Sequence, residues 1–359
     1  MESPRSSSDR NKMKTILITG ATGFLGKHLI ENIRTRESAS RLRLLSRSAT
    51  RWEQEPGIEV VHGDVVSRED VLCSAEGVSE IYHLAGVVSR DPKDSSMLFR
   101  THVEGTRNVC EAGLRADVKK VVAVSSSGTI AVGPEPLAHN EGSGYKNDVV
   151  SQWPYYLSKI FAEKLAFDYF HRYGLPVVVV NPSLLLGPGD DRRSSTADVA
   201  LFLEGQILAL PRGGLNFVDA RDAAAGLCAA MQQGRPGERY LLGGPNWTFR
   251  EVIQTVARIA SRSAPSLEPS LQFSIWSARL LRRIFPLIGK SFRLDEASIR
   301  MSALFWYCDS TKARKELGFM TRDPLETLRD TVNDLRCQSS DGLDVRNAPE
   351  ARSGVMTSA

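Results

Sequence analysis

The stretch Ile16-Leu17-Ile18-Thr19-Gly20-Ala21-Thr22-Gly23-Phe24-Leu25-Gly26 constrains the chain more than any other. Ile16 to Ile18 have the short, β-branched character of a strand buried on both faces, and three glycines follow at every third residue. Gly20 then makes a tight turn, Gly23 lets the main chain approach a pyrophosphate, and Gly26 lets the following helix pack closely on the strand. Thr22, Phe24 and Leu25 complete the turn. Free N–H groups at the helix start would face the phosphates. A turn that is merely glycine-rich shows the same pattern, so the downstream order must decide.

Downstream, helix and strand patterns alternate. Phe24, Leu25, Leu29, Ile30 and Ile33 fall at helical spacing, and Leu42 to Leu45 form a second strand. At the end of that strand an acidic residue would bind the 2′-hydroxyl of NAD. The chain instead reads Ser46-Arg47-Ser48 with Arg51 nearby. A guanidinium suits a 2′-phosphate, which favours NADP over NAD. Ile58 to Val61 form a third strand, after which Asp64, beside Val65, suits either an adenine contact or the cap of a helix starting near Arg68. Glu80 to Leu84 form a fourth, leading into Ala85 and Gly86, whose small size leaves room for the middle of a dinucleotide. A helical pattern from Met97 to Leu114 precedes a fifth strand, Lys120 to Val124, followed by Ser125-Ser126-Ser127-Gly128-Thr129. Ligands of open α/β sheets bind beyond the carboxyl ends of the strands, so these hydroxyls face the expected site.

Trp153-Pro154-Tyr155-Tyr156-Leu157-Ser158-Lys159 opens a long helix to about Tyr173. Tyr155 and Lys159 are four apart and share a helix face, while Tyr156 points elsewhere. An adjacent ammonium and a cationic nicotinamide are expected to lower the Tyr155 pKa from about 10. Tyr155 can then exchange a proton with a substrate oxygen that a serine orients. Val177 to Val180 end in Asn181-Pro182-Ser183, another carboxyl-end loop. The alternation predicts an α/β fold with a doubly wound parallel Rossmann sheet over 13–182, to which a later segment near 216–240 returns. Residues 183–335 are expected to form mainly a smaller α+β substrate-binding region. Asp222 suits a cap or a domain-joining contact, and Thr248 a helix cap.

With 359 residues the chain can bury a large core. A net charge of +4 without a basic run makes nucleic acid an unexpected partner. Five scattered cysteines point to reduced thiols in a cytoplasmic setting and to no metal site. Residues 1–12 and 338–359 read as polar, disordered tails, and no apolar run is long enough to span a membrane. Ile275 to Ile288 carry apolar residues and arginines at helical spacing. Such a stretch suits a core-facing helix, a lid over an apolar substrate, or contact with a membrane surface.

TGATGFLG, HLAG, the serine cluster, YYLSK, NPSLLLGPGD and NFVDARD occur in this order. Together they resemble the extended short-chain dehydrogenase/reductases (the NAD-dependent epimerase/dehydratase family), among them dihydroflavonol-reductase-like and 3β-hydroxysteroid-dehydrogenase-like oxidoreductases and hopanoid-associated sugar epimerases. The resemblance implies that Gly20, Gly23 and Gly26 line the pyrophosphate, Arg47 the 2′-phosphate and Asp64 the adenine, with Leu84, Ala85 and Gly86 alongside. It implies Tyr155 as acid/base, Lys159 as its activator, Pro182 and Ser183 against the nicotinamide, and Ser127 as the catalytic serine, with Ser126 the alternative. Gly128-Thr129 replaces the Asp-Glu of sugar dehydratases, and His102 stands where the family has Asn, which points to a structural histidine. The expected activity is interconversion of a ketone and a secondary alcohol on a largely apolar small molecule. The alternatives are a nucleotide-sugar epimerase with retained NAD and a non-catalytic NADP sensor. A homodimer would be ordinary for such a fold.

Overall fold

The computed structural model describes residues 14–37, 39–284 and 296–346. In chain order the elements are β1 (Thr15–Thr19), α1 (Phe24–Arg36), β2 (Arg41–Ser46), β3 (Ile58–His62), α2 (Arg68–Ser74), β4 (Glu80–His83), α3 (Ser95–Phe99), α4 (Gly105–Arg115), β5 (Lys120–Val124), α5 (Asn147–Val150) and α6 (Pro154–Tyr173). There follow β6 (Val177–Pro182), β7 (Leu184–Leu186), α7 (Ala197–Leu203), β8 (Gly214–Asp219), α8 (Ala220–Gln233), β9 (Arg239–Leu242), β10 (Asn246–Thr248), α9 (Phe249–Ala260), α10 (Leu271–Ile284), α11 (Glu296–Met301), β11 (Phe305–Trp306), α12 (Thr311–Leu317) and α13 (Pro324–Arg346).

The main sheet has seven strands in the order β3-β2-β1-β4-β5-β6-β9, every pair parallel. Because side chains alternate across a strand, Ile16 and Ile18 enter one core with Leu29, Ile33, Ala223 and Leu227, while Leu17 enters the other with Val71, Val109 and Val121. Helices α1 and α8 cover the first face and α4 and α6 the second. The order reverses between β1 and β4, and the carboxyl ends of these strands open the crevice in which an α/β sheet binds ligands.

A smaller sheet is organised around β8, which pairs antiparallel with β10 and parallel with β7 and β11. Thus β8 belongs to the small sheet, while the segment that returns to the main sheet comprises α8 and β9. Thr248 closes a reciprocal capping box with Glu251 at the start of α9. The two layers are tied at the head of α8, where Arg322 binds Asp222 and Asp219 and Arg221 reaches Asp330.

Several expectations change. Ser67, not Asp64, caps α2; Asp219 caps α8, and of its two expected roles Asp222 takes the domain-joining contact. The helix expected over 97–114 is interrupted by a π-helical turn at Arg100–Glu104. The basic amphipathic helix starts earlier than expected, at Leu271, and 285–288 lie outside the described residues. At the C-terminus α13 continues through Arg346, past the expected tail boundary at 338; residues 1–13 and 347–359 lie outside the described residues. No helix among the described residues is long and apolar enough to cross a membrane.

Candidate active site

The glycine turn is built as its spacing predicts. Gly20 has φ of +74°, and a Cβ there would stand 2.6 Å from the Ala85 nitrogen, so the β4 loop runs directly beneath it. At Gly26 a Cβ would meet the Gly20 carbonyl at 2.4 Å, which is how closely α1 sits on the turn. The start of α1 opens into a cavity of about 1250 Å³ that runs from the carboxyl edge of the main sheet to the small sheet.

Gly20, Thr22, Gly23, Phe24, Leu25, Gly26, Arg47, Leu84, Gly86, Ser127, Tyr155, Lys159, Pro182 and Ser183 all line this cavity. Three other residues singled out in the sequence do not. Ala85 lies under Gly20, where its N–H donates to Thr19 Oγ1 at 3.2 Å. Val65 is buried, and its carbonyl accepts from Asn108 Nδ2. Asp64 sits beside the cavity end, 3.9 Å from the Arg47 guanidinium, and accepts from the Val66 N–H.

Tyr155 and Lys159 face the cavity from the first turns of α6, which Pro154 opens at a position where its missing N–H costs nothing. Lys159 is buried and its Nζ donates to the Val124 carbonyl at 3.0 Å, the last residue of β5. Desolvation draws its pKa down to about 8, against the raising influence of Glu163 one turn on. In the chain itself burial pushes the Tyr155 hydroxyl up to about 12, and the Ser126 side chain opposes this. Within the serine cluster it is the Ser126 side chain that opposes this rise, and its Oγ accepts from the Gly128 N–H. Ser127, the serine expected to act, is buried in a 3₁₀ turn. Tyr156 turns away from Tyr155 to stack on Trp306, with ring centroids 4.9 Å apart.

Two residues organise this site without a clear signal in the sequence. His102, on the π-helical turn, accepts from the Val87 N–H at Nε2, so Nδ1 carries the proton and donates to Ser158 Oγ at 2.8 Å. Ser158 in turn donates to the Tyr155 carbonyl. Burial draws the His102 pKa down to about 2, leaving it neutral at physiological pH, and its ring stands edge-on to Tyr155 at 5.7 Å. Its place in an otherwise familiar motif was the only hint. The second is Glu163, buried on α6, which accepts from the Ser125 hydroxyl and from Asn181 Nδ2. Asn181 also donates to the Ser126 carbonyl at 3.0 Å, which fixes the serine loop.

The far wall of the cavity is apolar, with Phe202, Ile207, Val252, Ile253, Leu281 and Met301 among its lining. Asp190 shapes one rim by accepting from the Ser195 and Thr196 N–H groups and both Ser194 donors. Across the opening Arg90 makes a bidentate pair with Asp198 of α7.

Comparison with known proteins agrees with this architecture. The model of the NAD dependent epimerase/dehydratase family matches residues 16–243. A Synechocystis sp. protein named "Putative dihydroflavonol 4-reductase" is 31% identical over 88% of this chain and 93% of its own length. Sterol demethylase protein B of Methylococcus capsulatus is also 31% identical, over 89% of this chain and 97% of its own. The crystal structure of gox2253 superposes with a TM-score of 0.77 at 28% identity, covering 90% of this chain and 98% of that one. Matched by the family model over more than half its length and by these relatives over most of it, the chain belongs to the NAD dependent epimerase/dehydratase family, a family of NAD-dependent oxidoreductases, epimerases and dehydratases.

Proposed function

We propose that the protein is an NADP(H)-dependent oxidoreductase that interconverts a ketone and a secondary alcohol on a largely apolar small molecule. The observation that carries this reading is one cavity in which the glycine turn, the Ser126–Tyr155–Lys159 group and an apolar wall meet. The residues present fit a dinucleotide. Two glycines stand where a Cβ would strike backbone, and the buried Ser183 hydroxyl lacks a hydrogen-bond partner among the described residues while lining the cavity. Gly20, Gly23 and Gly26 would hold the pyrophosphate, Lys159 the nicotinamide ribose, and Pro182 and Ser183 the nicotinamide. Arg47 ends the cavity where the ribose 2′-position is expected, and the preference for a 2′-phosphate rests on it.

When bound, the reduced nicotinamide supplies the hydride. The chain's own residues handle the proton: a Tyr155 hydroxyl pushed up to about 12 stays protonated at neutral pH and donates to the carbonyl oxygen, which Ser126 orients. The two transfers together turn the ketone into the alcohol. Lys159, with its pKa near 8, keeps much of its positive charge at neutral pH and stabilises the developing tyrosinate. Residues 183–335 mainly shape the substrate side, and the printed names of the two relatives, "Putative dihydroflavonol 4-reductase" and "Sterol demethylase protein B", agree with an apolar substrate.

The test is a titration with NADPH and NADH after assaying the purified protein for carried-over cofactor, followed by a panel of ketones. Tighter NADPH binding and ketone reduction that Tyr155→Phe abolishes are the expected results. Tightly retained NAD with sugar inversion and no added cofactor would establish the epimerase reading instead. A folded, cofactor-binding protein that turns over no ketone or alcohol would be a sensor.

A further inference from the structure

Helix α10 carries two apolar faces. Ile275 and Ala278 pack inward on Ile299 of α11, and Leu271, Ser274, Ser277 and Leu281 line the cavity rim. On the opposite side Phe273, Trp276, Leu280 and Ile284 follow one another three or four residues apart and are 56%, 60%, 40% and 41% exposed. Phe273 and Trp276 lie ring against ring at 5.9 Å. Leu267, 69% exposed, precedes this stripe, and its carbonyl accepts from Leu210 beside the exposed, cavity-lining Leu208. A row of large apolar side chains of this kind is uncommon on a solvated helix.

Arginines predominate among the charges along the stripe. Arg279, Arg282 and Arg283 are exposed along it. The acids on this rim are already engaged: Glu296 with Arg279 and Arg300, and Glu268 with Arg250. Aromatic and aliphatic side chains flanked by arginines match the boundary between headgroups and acyl chains of an anionic bilayer, where apolar side chains enter and guanidiniums meet phosphate.

We propose that the outer face of α10 docks on an anionic lipid surface, so that the cavity rim lies at the membrane and an apolar substrate enters directly from it. The docking stands on the exposed face alone; only the entry route rests on the apolar-substrate reading. The test is co-sedimentation of the full-length protein with vesicles of phosphatidylcholine, alone or mixed with phosphatidylserine, at low and high salt. The protein should pellet with the mixed vesicles at low salt and be released at high salt. The double variants F273S/W276S and R282E/R283E should each lower partitioning by about tenfold or more while binding nicotinamide cofactor as the native protein does. In the native protein, brominated phospholipid should quench part of the tryptophan emission, and Trp276→Phe should remove that quenching, a readout independent of how the double variants fold. A native protein that stays in the supernatant with mixed vesicles overturns the proposal. So does an unchanged F273S/W276S, or a concentration-dependent dimer that this variant abolishes, since a second copy would then cover the face. Cofactor binding reports separately on the reductase reading.

Discussion

Ser126 and Ser127 are neighbours with the same chemistry, and the structure separates them. Of the two, only the Ser126 side chain acts on the Tyr155 hydroxyl, drawing its pKa down against burial; Ser127 is buried in the turn, and its carbonyl accepts from the Ile130 and Ala131 N–H groups. If Ser126 holds the substrate oxygen, Ser126→Ala removes a donor aimed at developing negative charge, which costs about 10²–10³ in kcat, or roughly 2.7–4 kcal/mol. Its second contact, from Gly128 N–H, is long at 3.4 Å, so the loss of stability should stay near about 0.5 kcal/mol. Ser127→Ala leaves the backbone bonds of the turn in place and should change kcat only a few-fold. The two variants also differ in pH dependence. The Ser126 hydrogen bond is what holds the Tyr155 pKa down against burial, so its loss raises that pKa above about 12. Alcohol oxidation, which needs the tyrosinate, would then require higher pH, whereas ketone reduction, which needs the protonated form, would lose rate without a shift near neutrality. Both directions are followed by nicotinamide absorbance across pH, with thermal melts as the stability control. A larger loss in Ser127→Ala than in Ser126→Ala, or an oxidation profile unmoved in Ser126→Ala, would refute the assignment.

Two glycines of the turn should respond differently to alanine. At Gly26 the new Cβ lies within 2.9 Å of three backbone atoms, which forces α1 off the turn, at a cost of about 1–3 kcal/mol; at Gly23 the nearest atom is 3.2 Å away and φ is −78°, so Gly23→Ala should keep its melting temperature and lose mainly dinucleotide affinity. Equal melting temperatures for Gly26→Ala and the native protein would show that the close approach does not matter. Arg47→Ala should weaken NADPH by about 10–100-fold and NADH little, measured by fluorescence titration, because a charge-assisted contact to a phosphate contributes roughly 1.5–3 kcal/mol. Equal losses for both cofactors would remove Arg47 from the 2′-site.

The main sheet was legible because its central strands are buried on both faces, which leaves unbroken apolar runs such as Val177 to Val180. The glycine turn and the Tyr155/Lys159 face were legible because each is a fixed spacing on a regular element. What escaped depends on contacts between elements. Ser67 and Asp64 are both residues that cap helices, and only the hydrogen bond to the Asp70 N–H distinguishes them. The serine cluster leaves a strand for a 3₁₀ turn, where no period tells which hydroxyl meets Tyr155. The upward pull of burial on Tyr155 is set by the whole fold and has no counterpart in the spacing of charges along the chain. The π-helical turn that carries His102 adds a residue per turn that helical periodicity does not register.

Glu163 connects these local arrangements. One turn beyond Lys159 and 2% exposed, it receives Ser125 and Asn181 and pairs with Arg239 at 3.4 Å. Arg239 itself stacks over Tyr145 and Phe167. Glu163→Gln keeps the shape and removes the charge. Arg239, with a side chain only 14% exposed, then faces a neutral amide, and breaking a buried pair in this way should cost about 3 kcal/mol. A purely structural glutamate would show that loss and nothing more. Here a second effect follows, because Glu163 is the group that raises the Lys159 pKa against desolvation. Without it the pKa falls below about 8. An ammonium is charged below its pKa and loses its proton above it, so the alkaline limb of the reduction profile should move to lower pH in the variant. Destabilisation with an unmoved alkaline limb would show that the Lys159 charge is set elsewhere. A limb moved downward, with normal cofactor binding at low pH, would make Glu163 a positioning residue acting on the site through Lys159.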